Sequence, residues 1–135
     1  MRLYIGLVHY PVYNKNYQRI ASAISTLDLH DIARAARTYD VKRFFVINPL
    51  EDQQTLVERV RTHWIRGYGA NYNRNRREAI ELVEIAPSLE CAVDVIAELE
   101  GAAPLLIATD ASRQKEQSIS YSRAREIIQD GKIVV

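Results

Sequence analysis

Apolar residues in this chain fall into short continuous runs, separated by stretches in which they recur every three or four positions. Five runs read as buried strands: residues 3–8, 43–47, 83–85, 104–109 and 132–135. The stretches between them carry helical periodicity with readable starts. Asp28 can cap a helix that turns Leu29, Ile32, Ala33 and Ala36 to one side. Asn48, Pro49 and Glu51 offer a cap, a proline at the first helical position and an acid in the first turn. The helix that follows buries Leu56, Val57, Val60 and Trp64 and ends near Gly67. Ser88 opens a third helix with Leu89, Ala92, Val93, Ile96 and Leu99 inward, and Cys91 on the same apolar side reads as core. A fourth runs from Ser120 to Asp130, with Ala124 and Ile127 inward, and Gly131 stops it. Strands alternating with helices predict an α/β fold, a parallel sheet with helices on both faces, in one domain spanning residues 1–135.

Three places depart from this alternation. Residues 11–27 are long for a strand-to-helix connection, and connections of that length often carry function. Residues 68–77 are polar, aromatic and basic. The last apolar run leads straight to Val135. It either closes a small sheet or belongs to a strand whose following loop would carry function.

Composition narrows the function classes. The net charge is +1, so any attraction to a polyanion has to be local. No apolar run is long enough for a membrane-spanning helix, and residues 3–8 lack the features of a signal peptide, which predicts a cytoplasmic protein. The single Cys91 excludes an intrachain disulfide, and His9, His30 and His63 lack metal-ligand spacing, so no metal is expected. No glycine-rich phosphate loop is present, and Ser112, Ser118, Ser120 and Ser122 have no histidine beside them in sequence.

The strongest chemical signal is the run from Arg59 to Arg77, which holds six arginines and His63 but no acid. Arg66, Arg74, Arg76 and Arg77 can pair with phosphates, and Trp64, Tyr68 and Tyr72 offer faces on which an unstacked base can lie. The same run also fits a solvated helix face followed by a polar turn. Arg34 and Arg37 lie one turn apart in the first helix; the helix dipole accounts for Arg37, whereas Arg34 needs a partner or a cleft. His9, Tyr10, Tyr13 and Asn14 follow the first strand, where such folds place ligands, although a proline-anchored loop packed on the sheet edge explains them equally.

The stretches LVHYPVYNK (7–15), STLDLHDIARAARTYDVKRFFVINP (25–49), NYNRNRREA and TDAS…SISY together resemble the SAM-dependent RNA methyltransferases of the trefoil-knot (SPOUT) superfamily. They are most similar to a small bacterial group sometimes fused to a tRNA (guanine-N1)-methyltransferase. The resemblance covers essentially the whole chain. It implies a Rossmann-like, SPOUT-type sheet, S-adenosylmethionine as cofactor, RNA (tRNA or rRNA) as partner, and pairing of two subunits. Arg34 falls on the arginine of the superfamily's first motif, in the catalytic cleft, and Asp28 falls where many relatives carry asparagine. In that reading Arg34 orients the target nucleotide, and Thr109 and Asp110 at the end of the fourth strand meet the cofactor. His9 and Asn14 line the cleft, and Arg66, Tyr72, Arg74, Arg76 and Arg77 hold RNA.

Relatives continue beyond the equivalent of Val135 with a glycine-rich turn, a strand and a helix, which form most of the knot and of the cofactor pocket. The 135 residues by themselves are therefore expected to be a poor or inactive catalyst, and measurable SAM binding by them would contradict this. Two rival functions stand beside the enzyme: a non-catalytic RNA-binding or dimerisation module, and a metabolite-binding α/β domain with no RNA role.

Overall fold

Two neighbouring phenylalanines set the layering of the molecule. The computed structural model describes residues 1–111 and 117–135. Strand β4 (Arg43–Ile47) has Phe44, Phe45, Val46 and Ile47 fully buried. Alternate side chains of a strand point to opposite faces, so Phe44 and Phe45 anchor two different cores. Phe44 packs with Leu29, Ala33, Ala36, Val57 and Ile80. Phe45 packs with Tyr4, Ala92, Ile96 and Ile133.

β4 lies between β1 (Tyr4–Val8) and β5 (Val83–Ala86), parallel to both. Beyond β1 the backbone of residues 133–135 runs alongside. The Tyr4 amide donates to the Val134 carbonyl at 2.8 Å, and Ile107 donates to Val135 at 2.9 Å. Parallel bridges join Val134 to both Leu3 and Leu105. The two C-terminal apolar runs thus meet the sheet as single bridges rather than full strands, in the spatial order 105, 134, β1, β4, β5. The crossover direction reverses beside β1, which makes its carboxyl end the switch point where such sheets bind ligands. One face carries α1 (Thr26–Thr38), α2 (Glu51–Ile65), α3 (Gly69–Tyr72) and α4 (Arg74–Ile80); α5 (Leu89–Glu100) covers the other. The sheet is therefore Rossmann-like, parallel and flanked by helices, as the alternation predicts.

Several boundaries differ from the sequence reading, each for a local reason. The cap of α1 is Ser25, whose hydroxyl accepts from the Leu27 amide; Asp28 sits inside the first turn, where its charge suits the helix dipole. Asn48 does not cap α2. Its Oδ1 accepts from the Leu50 amide at 3.0 Å, forming a turn ahead of a helix that begins at Glu51 and stops at Ile65. Ser88 caps α5 as expected, but Cys91 and Leu99 are exposed, because only Ala92 and Ile96 lie fully on the buried stripe. α6 (Tyr121–Gln129), capped by Ser120, buries no residue completely; Ala124 and Ile127 are half-buried. The connection 11–27 holds a hairpin of β2 (Val12–Tyr13) and β3 (Arg19–Ile20). Ser112 lies outside the described residues.

At the amino end of the sheet one carboxylate ties three segments together. Glu100 accepts from Tyr4 Oη at 2.7 Å, Lys42 Nζ at 2.7 Å and Arg2 Nε at 2.8 Å. The Lys42, Tyr4 and Arg2 bonds hold its pKa down at about 2, while burial and the same carboxylate push Tyr4 up to about 12. A carboxyl with a depressed folded pKa stabilises above its ordinary value of 4.5, and that contribution is lost as pH falls towards 2. Replacing Glu100 by glutamine is expected to lower the thermal midpoint at pH 7 and to flatten its decline between pH 4.5 and 2. An unchanged acid limb would contradict the role given to Glu100.

Candidate functional site

The carboxyl end of β1 is built around His9 and Asn48, the two buried polar residues among the described residues. His9 donates its amide to the Ile47 carbonyl at 2.9 Å, and its own carbonyl accepts from the Ser22 amide at 2.8 Å. Its Nδ1 meets Ser22 Oγ at 2.8 Å. Asn48 Nδ2 donates to the Ser22 carbonyl at 3.1 Å, and Gln54 Nε2 donates to the Asn48 carbonyl at 2.9 Å. Gln53 Oε1 accepts from the Ile24 amide at 2.7 Å. These bonds lock the return of the β2–β3 hairpin onto the ends of β1 and β4. His9 Nε2 is buried with no partner among the described residues. Burial lowers the pKa of His9, with Asp28 opposing, so the ring is held neutral. The sheet opens here: Val8 is exposed although β1 has neighbours on both sides.

The hairpin above this base presents Tyr13 and Tyr17 to solvent and stacks Arg19 over the Tyr10 ring at 5.9 Å. Asn14 is committed to its turn. Its Oδ1 accepts from the amides of Asn16 at 2.9 Å and Gln18 at 3.0 Å, and its Nδ2 donates to Gln18 Oε1. His9 and Asn14 therefore occupy the foot and the tip of one hairpin. At the other edge of the sheet, Thr109 and Asp110 are exposed.

The basic run forms the end of α2, α3 and α4. Trp64 is its pivot. His30 of α1 meets the indole edge-on at 5.6 Å, His63 does so at 5.0 Å, and the Arg76 guanidinium lies over it at 4.7 Å. Arg76 is thus half-buried, engaged with an aromatic face rather than offered to solvent. Burial lowers the pKa of His30, and Arg76 and Arg34 lower it further against Asp31. Arg34, one turn along α1, pairs with Asp31 on an exposed surface.

The run contains no acid in sequence, yet its flanks supply three. Arg61 pairs with Glu58 at 3.0 Å, Arg74 with Glu78 at 3.2 Å and Arg77 with Glu81 at 3.1 Å, while Glu78 also meets Arg37 at 3.5 Å. A shallow depression lined by Ala70, Asn71, Arg74, Arg77, Glu78 and Glu81 carries both charge signs. Arg59 and Arg66 are exposed and have no acidic partner among the described residues. Arg59 lies in the basic run read from the sequence but not among the residues assigned there to RNA, and Ser22 and Gln53 belong to neither. The unmatched charge of Arg59 depends on where Glu58 points, which spacing alone does not give.

A pH effect follows from the two histidines. Unfolded imidazoles take up a proton near 6.5, while His9 and His30 resist it in the folded chain. The unfolded state therefore binds more protons as pH falls, and stability drops below about 6.5. Urea midpoints at pH 7 and pH 5.5 are expected to differ in that sense; a higher midpoint at the lower pH would contradict it.

The chain matches the family described as SAM-dependent RNA methyltransferase over residues 2–135, and it belongs to that family. It is 35% identical over 127 residues to an uncharacterised protein of Aquifex aeolicus, covering 94% of this chain and 62% of that one. It is 38% identical over 109 residues to a tRNA (guanine-N(1)-)-methyltransferase of Oleidesulfovibrio alaskensis, covering 81% of this chain and 26% of the relative. The same figures hold for a tRNA (guanine-N(1)-)-methyltransferase of Nitratidesulfovibrio vulgaris. The chain thus spans about three-fifths of the first relative and about a quarter of the other two.

The family implies S-adenosylmethionine, a cationic nucleoside that needs a walled pocket. Thr109 and Asp110 are exposed and do not line the depression on α3 and α4 or the one formed by Glu51, Gln54, Thr55, Glu58 and Ile85. Neither depression therefore supplies Thr109 and Asp110 with a wall against a nucleoside.

Proposed function

We propose that this protein takes part in SAM-dependent methylation of RNA, with the surface of α2, α3 and α4 facing the RNA. S-adenosylmethionine would supply the methyl group. The observation that carries the reading is that Arg59 and Arg66 are exposed with no acidic partner among the described residues, in the same run that exposes Tyr68 and Tyr72. Guanidinium groups take phosphates in a forked geometry that lysine lacks, and tyrosine faces accept unstacked bases. Family membership and the names of two relatives favour tRNA over rRNA.

In this reading residues 1–135 act as one α/β domain, and Arg34 leaves Asp31 to hold a phosphate of the target nucleotide. Arg66, Tyr72, Arg74 and Arg77 touch the RNA directly, whereas Arg76 acts by fixing Trp64. His9 holds the foot of the hairpin, Asn14 shapes its tip, and Thr109 with Asp110 form one side of the cofactor site. Pairing of two copies fits the exposed Leu105, Leu106 and Ile119, and a cytoplasmic setting fits an RNA substrate. Among the described residues, no helix is long and apolar enough to cross a membrane.

The test is the affinity of the chain for tRNA across a salt series. Neutralising about four phosphates predicts a fall of roughly 100-fold between about 50 and 200 mM salt. Absence of binding at low salt, or binding indifferent to salt, would overturn the reading.

A further inference from the structure

Tyr68 and Tyr72 are among the most open large side chains of the molecule, at 79% and 73% exposure. Exposed tyrosines occur elsewhere: Tyr17 and Tyr121 are more open still. What sets this pair apart is its order. The rings stack on each other with centroids 6.2 Å apart and planes within 22°, one helical turn apart at the two ends of α3.

The backbone beneath them is held closely. Arg66 and Gly67 both donate to the Thr62 carbonyl, at 3.0 and 2.9 Å, folding the chain back against the end of α2. A Cβ on Gly67 would lie 2.9 Å from the His63 carbonyl oxygen, and one on Gly69 would lie 2.7 Å from Trp64 Cε3 and 3.0 Å from His63 Nε2. Glycine at both places lets the segment lie against Trp64, which also meets His30, His63 and Arg76. The tyrosines are thus carried outward on a supported turn while their outer faces stay open to water. Holding two aromatic rings in solvent forgoes the stabilisation of burying them. Exposed Arg66 lies two residues before Tyr68 and exposed Asn71 between the two tyrosines, adding a phosphate donor and an amide that can meet a base edge.

We infer that Tyr68 and Tyr72 form a stacking platform for an unpaired nucleotide, so that the RNA is engaged at a single-stranded loop or bulge rather than along a duplex. The inference rests on the RNA reading above and narrows it to a substrate class. Bases within an A-form helix are stacked on their neighbours and offer no free face to a protein ring, whereas loop bases do.

The test compares the full chain with Y68A/Y72A, Y68L/Y72L and Y68F/Y72F, by fluorescence anisotropy with a labelled single-stranded RNA 12-mer and an RNA duplex of the same composition. The wild type is expected to prefer the single strand. The alanine and leucine pairs should lose on the order of 10-fold or more on the single strand and little on the duplex. The phenylalanine pair should retain the wild-type preference, because the ring face rather than the hydroxyl does the binding. The leucine pair keeps apolar bulk, so a loss there does not come from unfolding. Wild-type preference for the duplex, unchanged single-strand affinity in both ring-less pairs, or failure of phenylalanine to substitute would overturn the platform and leave the RNA reading standing. No binding of either RNA by the wild type would overturn both.

Discussion

Replacing Phe45 by alanine is expected to destabilise the chain by about 3–5 kcal/mol, the usual range for removing a buried phenyl ring. Phe45 is fully buried beneath α5, against Tyr4, Ala92 and Ile96. Helix α5 packs on the sheet through that layer. Phe44→Ala is expected to cost as much, but in the other layer, against α1 and α2. The two side chains face opposite layers of one strand, so the double variant should lose more than either single variant, and any departure from the sum reports coupling through β4. Domains of this size hold only about 5–15 kcal/mol of net stability, so the double variant should retain little of it. Urea midpoints measure all three. A loss below about 1 kcal/mol for either single variant would contradict the two-layer packing.

The second large effect concerns the unmatched arginines. Removing Arg59 and Arg66 together should lower the slope of log affinity against log salt by about 1.4–1.8, at roughly 0.7–0.9 for each phosphate no longer neutralised. Affinity for RNA near 0.1 M salt should fall roughly 10-fold to 100-fold. Arg74 and Arg77 are tied to Glu78 and Glu81 and must give up those pairs to reach a phosphate, so their removal should change the slope less. The complementary variant is the sharper one. Replacing Glu78 and Glu81 by glutamine frees Arg37, Arg74 and Arg77 and is expected to tighten RNA binding and steepen its salt dependence. Unchanged affinity in that variant would show that this face does not meet RNA.

Much of the fold was legible in the sequence because burial in a parallel sheet leaves a strong local trace. The run at residues 43–47 becomes β4 with the expected ends, and Ser88 and Ser120 cap the helices they announce. Boundaries shifted where two polar residues competed for one role. Ser25 outdoes Asp28, and Asn48 is drawn into the bonds at the strand ends instead of capping α2. The apolar stripe of α5 is narrower than its composition suggests, which leaves Cys91 and Leu99 outside it. The site was legible as composition and not as pairing. Residue types in 59–77 announce a basic-aromatic surface, but which arginines are neutralised depends on the facing of Glu58, Glu78 and Glu81 and on Trp64 drawing in Arg76. Ser22 and Gln53, which lock the foot of the hairpin, belong to no motif.

The most direct test of the central claim is to follow the labelled methyl group of S-adenosylmethionine in a mixture of the protein, purified from its own cells, with bulk tRNA and rRNA. Label is expected in RNA, and its amount is expected to fall when Arg34 is replaced, even with lysine. Label that never enters RNA, with RNA unbound at low salt, would contradict the claim.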